Sequence, residues 1–248
     1  MLYRTVIVSI LMTALASFSE KSPQIDNHRN SEEMETLNVK KSPDFEINGE
    51  GTHQNWAKAE WVKLPQRKRS GEKLSTAVKI LYSETGIYFL FDCQDRKITS
   101  TMDADFMDLW LEDVVEVFLW PDENFPVYFE YEISPMNYEL PILISNEGGD
   151  LVRWQPFHYD EDRKTRHATS VKGGEKKNNS SVSGWKAEFY IPYKLLRPLN
   201  NIPPGPGTRW RANFYRIDND NQSPDSWSWQ LTEKNFHDYE KFGGLLFQ

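Results

Sequence analysis

From residue 42 onward, short apolar runs recur between clusters of Gly, Pro, Asn and Asp. Residues 77–83 and 87–92 flank Glu84-Thr85-Gly86 and read as a β-hairpin. Further strands are predicted at 114–120, closed by Pro121-Asp122-Glu123-Asn124, and at 127–134, 139–145, 183–191, 209–218 and 243–247. Only 56–60 and 193–196 look like short helical turns. Many short strands and almost no long amphipathic helix predict an all-β fold, an antiparallel β-sandwich of jelly-roll type. Residues 172–183, with Gly173-Gly174 and Asn178-Asn179, read as a hairpin or long surface loop, and no internal repeat is visible.

Successive side chains of a strand point to opposite faces, so each strand divides into two sets. In 114–120, Val115, Val117 and Leu119 form one apolar set, and Glu116 falls in the other with Val114, Phe118 and Trp120. In 127–134, Phe129, Tyr131 and Ile133 form the apolar set, and Tyr128, Glu130, Glu132 and Ser134 the polar one. If these strands pair, Glu116 shares a face with Glu130 and Glu132. A face of carboxylates and aromatics suits a polar ligand with flat apolar sides, as a sugar has. At this point an arginine or lysine pairing with Glu116 across the sheet is an equal alternative.

Composition narrows the partners. The chain has 248 residues, 14% of them aromatic, enough for the core of one domain. A net charge of −8 argues against nucleic acid or an anionic membrane, which require a basic face. The basic run Arg67-Lys68-Arg69, set among Pro65, Gln66, Ser70 and Gly71, reads as a solvated loop. Residues 1–16 read as a signal peptide: Arg4 precedes the apolar stretch 6–16, and Ala14-Leu15-Ala16 supplies an A-x-A cleavage site, with cleavage after Ala16. The apolar stretch is shorter than the ~20 residues of a membrane span, so no anchor is expected after cleavage, and the protein is expected to be secreted or periplasmic. Residues 17–41 are polar and read as a flexible linker, leaving 42–248 as the domain. Cys93 is the only cysteine, which excludes a disulfide within the chain, and is read as a small buried hydrophobe rather than a reactive thiol. Trp185 and Trp210, grouped with Ala187, Phe189, Ala212 and Phe214, read as core; Trp154 is read either way.

The stretch from Trp110 through Glu112-Asp113 to Val115-Glu116-Val117-Phe118 resembles the W-x-x-D-x-V-E-x-F motif of family 9 carbohydrate-binding modules. An aromatic strand (Tyr128-Phe129-Glu130-Tyr131-Glu132), G-W-K-A-E-F-Y-I-P from Gly184, W-R-A-N-F-Y-R-I from Trp210 and the closing segment from Trp227 to Phe247 follow in the family's order. Upstream, I-N-G-E-G-T-H-Q-N-W-A-K-A-E from Ile47 is similar to its opening segment. The resemblance covers about 200 residues. It implies a β-sandwich that binds glycans without cleaving them and works beside xylan- and glucan-degrading enzymes. Residue by residue, it implies that Trp110 clamps a sugar from one side and Phe236 from the other, that Glu116 contacts the sugar, and that Trp229 matches a tryptophan earlier in the closing motif. Two positions depart: a sugar-contacting arginine of the family falls at Glu130, and an asparagine near Glu233. The expected site is therefore Trp110, Glu116, Glu130, Trp229 and Phe236. The expected ligand is a plant or algal polysaccharide or oligosaccharide end. With no catalytic domain in the chain, glycoside hydrolases enter only as separate partners.

Three other readings compete. Glu116, Glu130, Glu132 and Glu188 could furnish the carboxylate pair of a glycoside hydrolase, although no recognisable acid and nucleophile arrangement is present. Met102, Met107, Met136, His167 and His237 could supply a haem pair, but none stands in a specific motif. No cofactor is required; the resemblance admits structural calcium, for which Asp103, Asp105 and Asp108, or Asp218, Asp220 and Asp225, offer hard oxygens.

Overall fold

The computed structural model describes residues 34–248. The expected signal peptide, its cleavage site and most of the expected linker lie outside the described residues. The strands are β1 (Thr36–Lys41), β2 (Val62–Leu64), β3 (Gln66–Lys68), β4 (Thr76–Tyr82), β5 (Gly86–Gln94), β6 (Val114–Trp120), β7 (Val127–Ile133), β8 (Glu139–Glu147), β9 (Asp150–Pro156), β10 (Arg166–Lys172), β11 (Gly184–Pro192), β12 (Arg209–Asp218), β13 (Asp225–Ser228) and β14 (Gly243–Phe247). One sheet runs β9-β8-β7-β6-β12-β14-β1 and the other β10-β11-β5-β4-β1. Strand β1 joins them, with Thr36 to Val39 beside β14 and Lys40 and Lys41 beside β4. Its two pairings are parallel; β6 and β7, β7 and β8, and β5 and β11 are antiparallel, as the sandwich predicted.

The core lies between the sheets and follows the period of two. Val115, Val117 and Leu119 of β6 and Phe129, Tyr131 and Ile133 of β7 meet Phe89 and Phe91 of β5 and Trp185, Ala187 and Phe189 of β11. Trp210 and Cys93 are buried there as expected, and burial pushes the Cys93 thiol up to about 12. The other set of β6, Val114, Phe118 and Trp120, packs into a second apolar cluster on the outer face, together with Tyr128, Ile142 and Tyr215.

Two polar stretches behave differently from their sequence reading. Residues 36–41, read as the end of the linker, form β1, because Val39 alternates inward and is 1% exposed. Arg67 is no solvated loop residue: β3 pairs with β13, and the guanidinium donates to Ser228 Oγ (3.0 Å) and the Trp229 carbonyl (2.8 Å). The opening segment is explained by Glu188 of β11. Its carboxylate accepts from the backbone N–H of Asn48 (2.9 Å), Gly49 (2.8 Å) and Gly51 (3.2 Å) and from Trp56 Nε1 (2.7 Å). The backbone can wrap an anion this tightly because Gly49 and Gly51 take φ of +82° and +67°. A side chain on Gly51 would meet Leu90 at 2.3 Å.

Candidate functional site

The site is built on the outer face of β6, β7 and β8. In the sheet register Glu116 lies opposite Glu132, Phe118 opposite Glu130, and Glu130 opposite Ile142. On its other flank Glu116 faces Tyr215 of β12. Neither neighbour of Glu116 is an arginine or lysine, so the cross-sheet ion pair is not what these strands build. Walls rise from three further segments: a 3-10 turn, Leu109–Leu111, carries Trp110; β9 carries Leu151 and Trp154; and the closing segment carries Asn235, Phe236 and His237. Together they enclose a cavity of about 470 Å³, within the ~300–1,000 Å³ of small-molecule sites.

The rings are held in place by one another. Trp110 and Trp154 meet edge to face, with centroids 5.4 Å apart at 77°. Phe236 stacks on Tyr215 at 4.1 Å and 13°, and the Tyr215 hydroxyl donates to the Phe236 carbonyl at 2.7 Å. Phe118 stacks on His237 at 5.3 Å.

Glu116, Glu130 and Glu132 are 2%, 4% and 0% exposed. Glu130 Oε2 and both Glu132 oxygens have no hydrogen-bond partner. The nearest basic group, His237, places Nδ1 3.7 Å from Glu130 Oε2 and 2.7 Å from the Tyr128 hydroxyl. Burial lowers His237 to about 4, so at neutral pH it is uncharged and is no counter-ion, despite its position. Burial pushes Glu130 up to about 8. It raises Glu116 and Glu132 well above the usual carboxylate range, and the neighbouring glutamates raise them further. Near pH 7 the site therefore presents carboxyl groups that hold protons and can both donate and accept.

Residues 47–248 match the family described as carbohydrate family 9 binding domain-like. The chain belongs to that family. The family 9 domain is similar to a putative carbohydrate-binding protein from Bacteroides uniformis, with TM-score 0.71, 19% identity and coverage of 87% of this chain and 100% of that one. It is also similar to a family 9 carbohydrate-binding module from Caldicellulosiruptor kristjanssonii. In complex with cellotriose that module gives TM-score 0.63, 15% identity and coverage of 86% and 94%; in complex with glucose, 0.62, 16%, 86% and 96%. No curated protein matches the chain.

In this family 9 domain Trp110, Glu116, Glu130 and Phe236 all line the cavity. Trp229 does not. It is 3% exposed in the core between the sheets, stacked on Phe214 at 5.3 Å, with Gly243 so close that an added Cβ would lie 2.3 Å from its ring. In this chain the tryptophan and glycine of the closing segment pack against each other. Trp154, left open by the sequence, is 41% exposed and forms a wall. His237, considered only as a haem ligand, belongs to the cavity, which no methionine lines. Glu188 is committed to the opening loop and lies on the other sheet.

Several of the acidic residues considered for calcium are already engaged within the fold. Oxygens of Asp95, Asp218 and Asp220 lie within 4.8 Å of one another, but Arg216 Nη2 already stands 3.0 Å from Asp95 and 2.8 Å from Asp218. Asp225 instead accepts from Ser70 and Gln66, and Asp105 from the Glu139 backbone N–H.

Proposed function

We propose that this chain is a non-catalytic carbohydrate-binding protein whose cavity holds a sugar ring at the end of a plant or algal oligosaccharide or polysaccharide. The observation that carries this reading is the convergence of Trp110, Trp154 and Phe236 with Glu116 and Glu130 around one cavity. The C–H faces of a sugar ring lie against aromatic rings, which supply apolar contact. Its hydroxyls then meet the carboxyl groups on the floor, which accept and, when protonated, donate. The fold neighbours described in complex with cellotriose and glucose support the same reading. Export through residues 1–16, and action beside separate xylan- or glucan-degrading hydrolases, complete the proposal. The N-terminus of protein recovered from the exported fraction is then expected at Ser17.

Calorimetry against xylo- and cello-oligosaccharides, native and borohydride-reduced, tests the sugar site. Reduction opens only the ring at the reducing end, so loss of binding on reduction assigns the site to that end, and retention assigns it elsewhere on the glycan. Absence of binding across both series and a broad glycan panel would overturn the reading.

A further inference from the structure

The cavity carries buried acid oxygens that nothing in the fold satisfies. Glu130 Oε2 and both oxygens of Glu132 lack partners, although the two residues are 4% and 0% exposed. A buried polar atom left unpaired is destabilising, and a charged one more so. No lysine or arginine is among the lining residues. We propose that the saccharide this site takes bears a free ammonium group, as a glucosamine unit does, with the ammonium against Glu130 and Glu132 and the ring against Trp110 and Phe236. This rests on the reading of the cavity as a sugar site.

Donor count favours an ammonium over a hydroxyl. An ammonium brings three N–H donors and a positive charge, whereas a hydroxyl brings one donor. The aromatic walls add attraction for a cation within about 6 Å of a ring face. A divalent metal is a poorer match. It needs oxygens converging at about 2.3–2.6 Å, and among the described residues the acidic group whose oxygens converge within 4.8 Å is Asp95, Asp218 and Asp220, away from this cavity. An N-acetylated amine has lost the charge and two of the donors.

The groups facing the ammonium fix how binding responds to pH. Strand β6 offers Glu116, β7 offers Glu130, Glu132 and Tyr128, β12 offers Tyr215, and the closing segment offers Asn235 and His237; β8 and β9 contribute Ile142, Ile144, Leu151 and Trp154. With Glu130 raised to about 8 and His237 lowered to about 4, the empty site near pH 6 holds protonated carboxyls and a neutral imidazole. An arriving ammonium favours an ionised carboxylate beside it, so binding releases a proton and strengthens as pH rises from 5 to 7. A sugar amine, comparable to an α-amino group, keeps its charge to about pH 8.

The test is calorimetry on the whole chain at pH 7 with four probes: the β-1,4-linked glucosamine dimer, its N-acetylated form, cellobiose, and ethanolamine. The glucosamine dimer is expected to bind at least about tenfold more tightly than the other three, and to release a proton, read from the enthalpy in buffers of different ionisation heat. E130Q and E132Q are expected to remove that preference, with thermal melting confirming that each variant folds. If cellobiose binds and the glucosamine dimer binds no better, the ammonium is overturned while the sugar site stands. If ethanolamine matches the glucosamine dimer, recognition of a sugar amine is overturned. If E130Q and E132Q both keep the full preference, the assigned carboxylates are wrong. If none of these sugars nor any in the broad panel binds, the sugar site itself fails.

Discussion

Asp95 and Asp218 are buried as deeply as Glu130 and Glu132, yet the two groups of acids are completed differently. The aspartates sit against Arg216, which is 0% exposed, bonded to both of them and to Thr76 Oγ1 and the Gln94 carbonyl, and packed 4.4 Å from the Trp227 ring. Even so, burial pushes Asp95 up to about 7, with Arg216 pulling against it. The glutamates border a cavity lined by one another, aromatic and aliphatic side chains, Asn235 and a neutral imidazole, with no lysine or arginine among them. Acids completed from within the fold hold the fold together; acids left incomplete beside a cavity mark a candidate binding site.

Breaking the first group is expected to have the largest effect. Arg216→Met strands Asp95 and Asp218 without their cation, and loss of one partner of a buried pair costs about 3–5 kcal/mol. At ~2–4 °C per kcal/mol for a chain of this size, the melting temperature falls by roughly 10 °C in differential scanning calorimetry. Glu130→Gln at pH 7, by contrast, breaks no ion pair and leaves the melting temperature within a few degrees of the parent.

The same comparison predicts a pH dependence. The glutamates hold their protons more tightly folded than unfolded, so their contribution is full below about 4.5 and is lost as pH rises through about 8 for Glu130. His237 acts oppositely: its contribution is present above 6.5 and lost as pH falls through about 4. Between pH 6.5 and 8 the acids act alone, and the melting temperature is expected to fall across that window. Asp95, raised to about 7, shares the trend, so Glu130→Gln flattens the slope only in part. A slope unchanged in that variant would place the titration in the other raised carboxyl groups instead.

The inward face of the site strands was legible in the sequence, and so was the sharing of one outer face by Glu116, Glu130 and Glu132. Both follow from the period of two in β6 and β7, which each stay in one register along their length. Trp110 and Phe236 were found through the resemblance, since their positions on a turn and a loop carry no period. Strand β10 escaped because it is a half-buried edge with polar alternation, and β2, β3 and β13 because they are three or four residues long. Strand β9 carried the one available signal for Trp154: Leu151, Val152 and Trp154, apolar yet exposed, in a short run. Trp229 was misassigned because its motif records a packing contact with Gly243 as faithfully as it would record a ligand contact.

The central claim is that the cavity walled by Trp110 binds sugar. Its most direct test is a titration of the parent and of Trp110→Ala with the tightest-binding oligosaccharide of the panel. Trp110 is half-buried at the cavity wall, so its removal is expected to weaken binding at least about tenfold, or ~1.4 kcal/mol, while the fold melts within a few degrees of the parent. Unchanged affinity in Trp110→Ala would contradict the account.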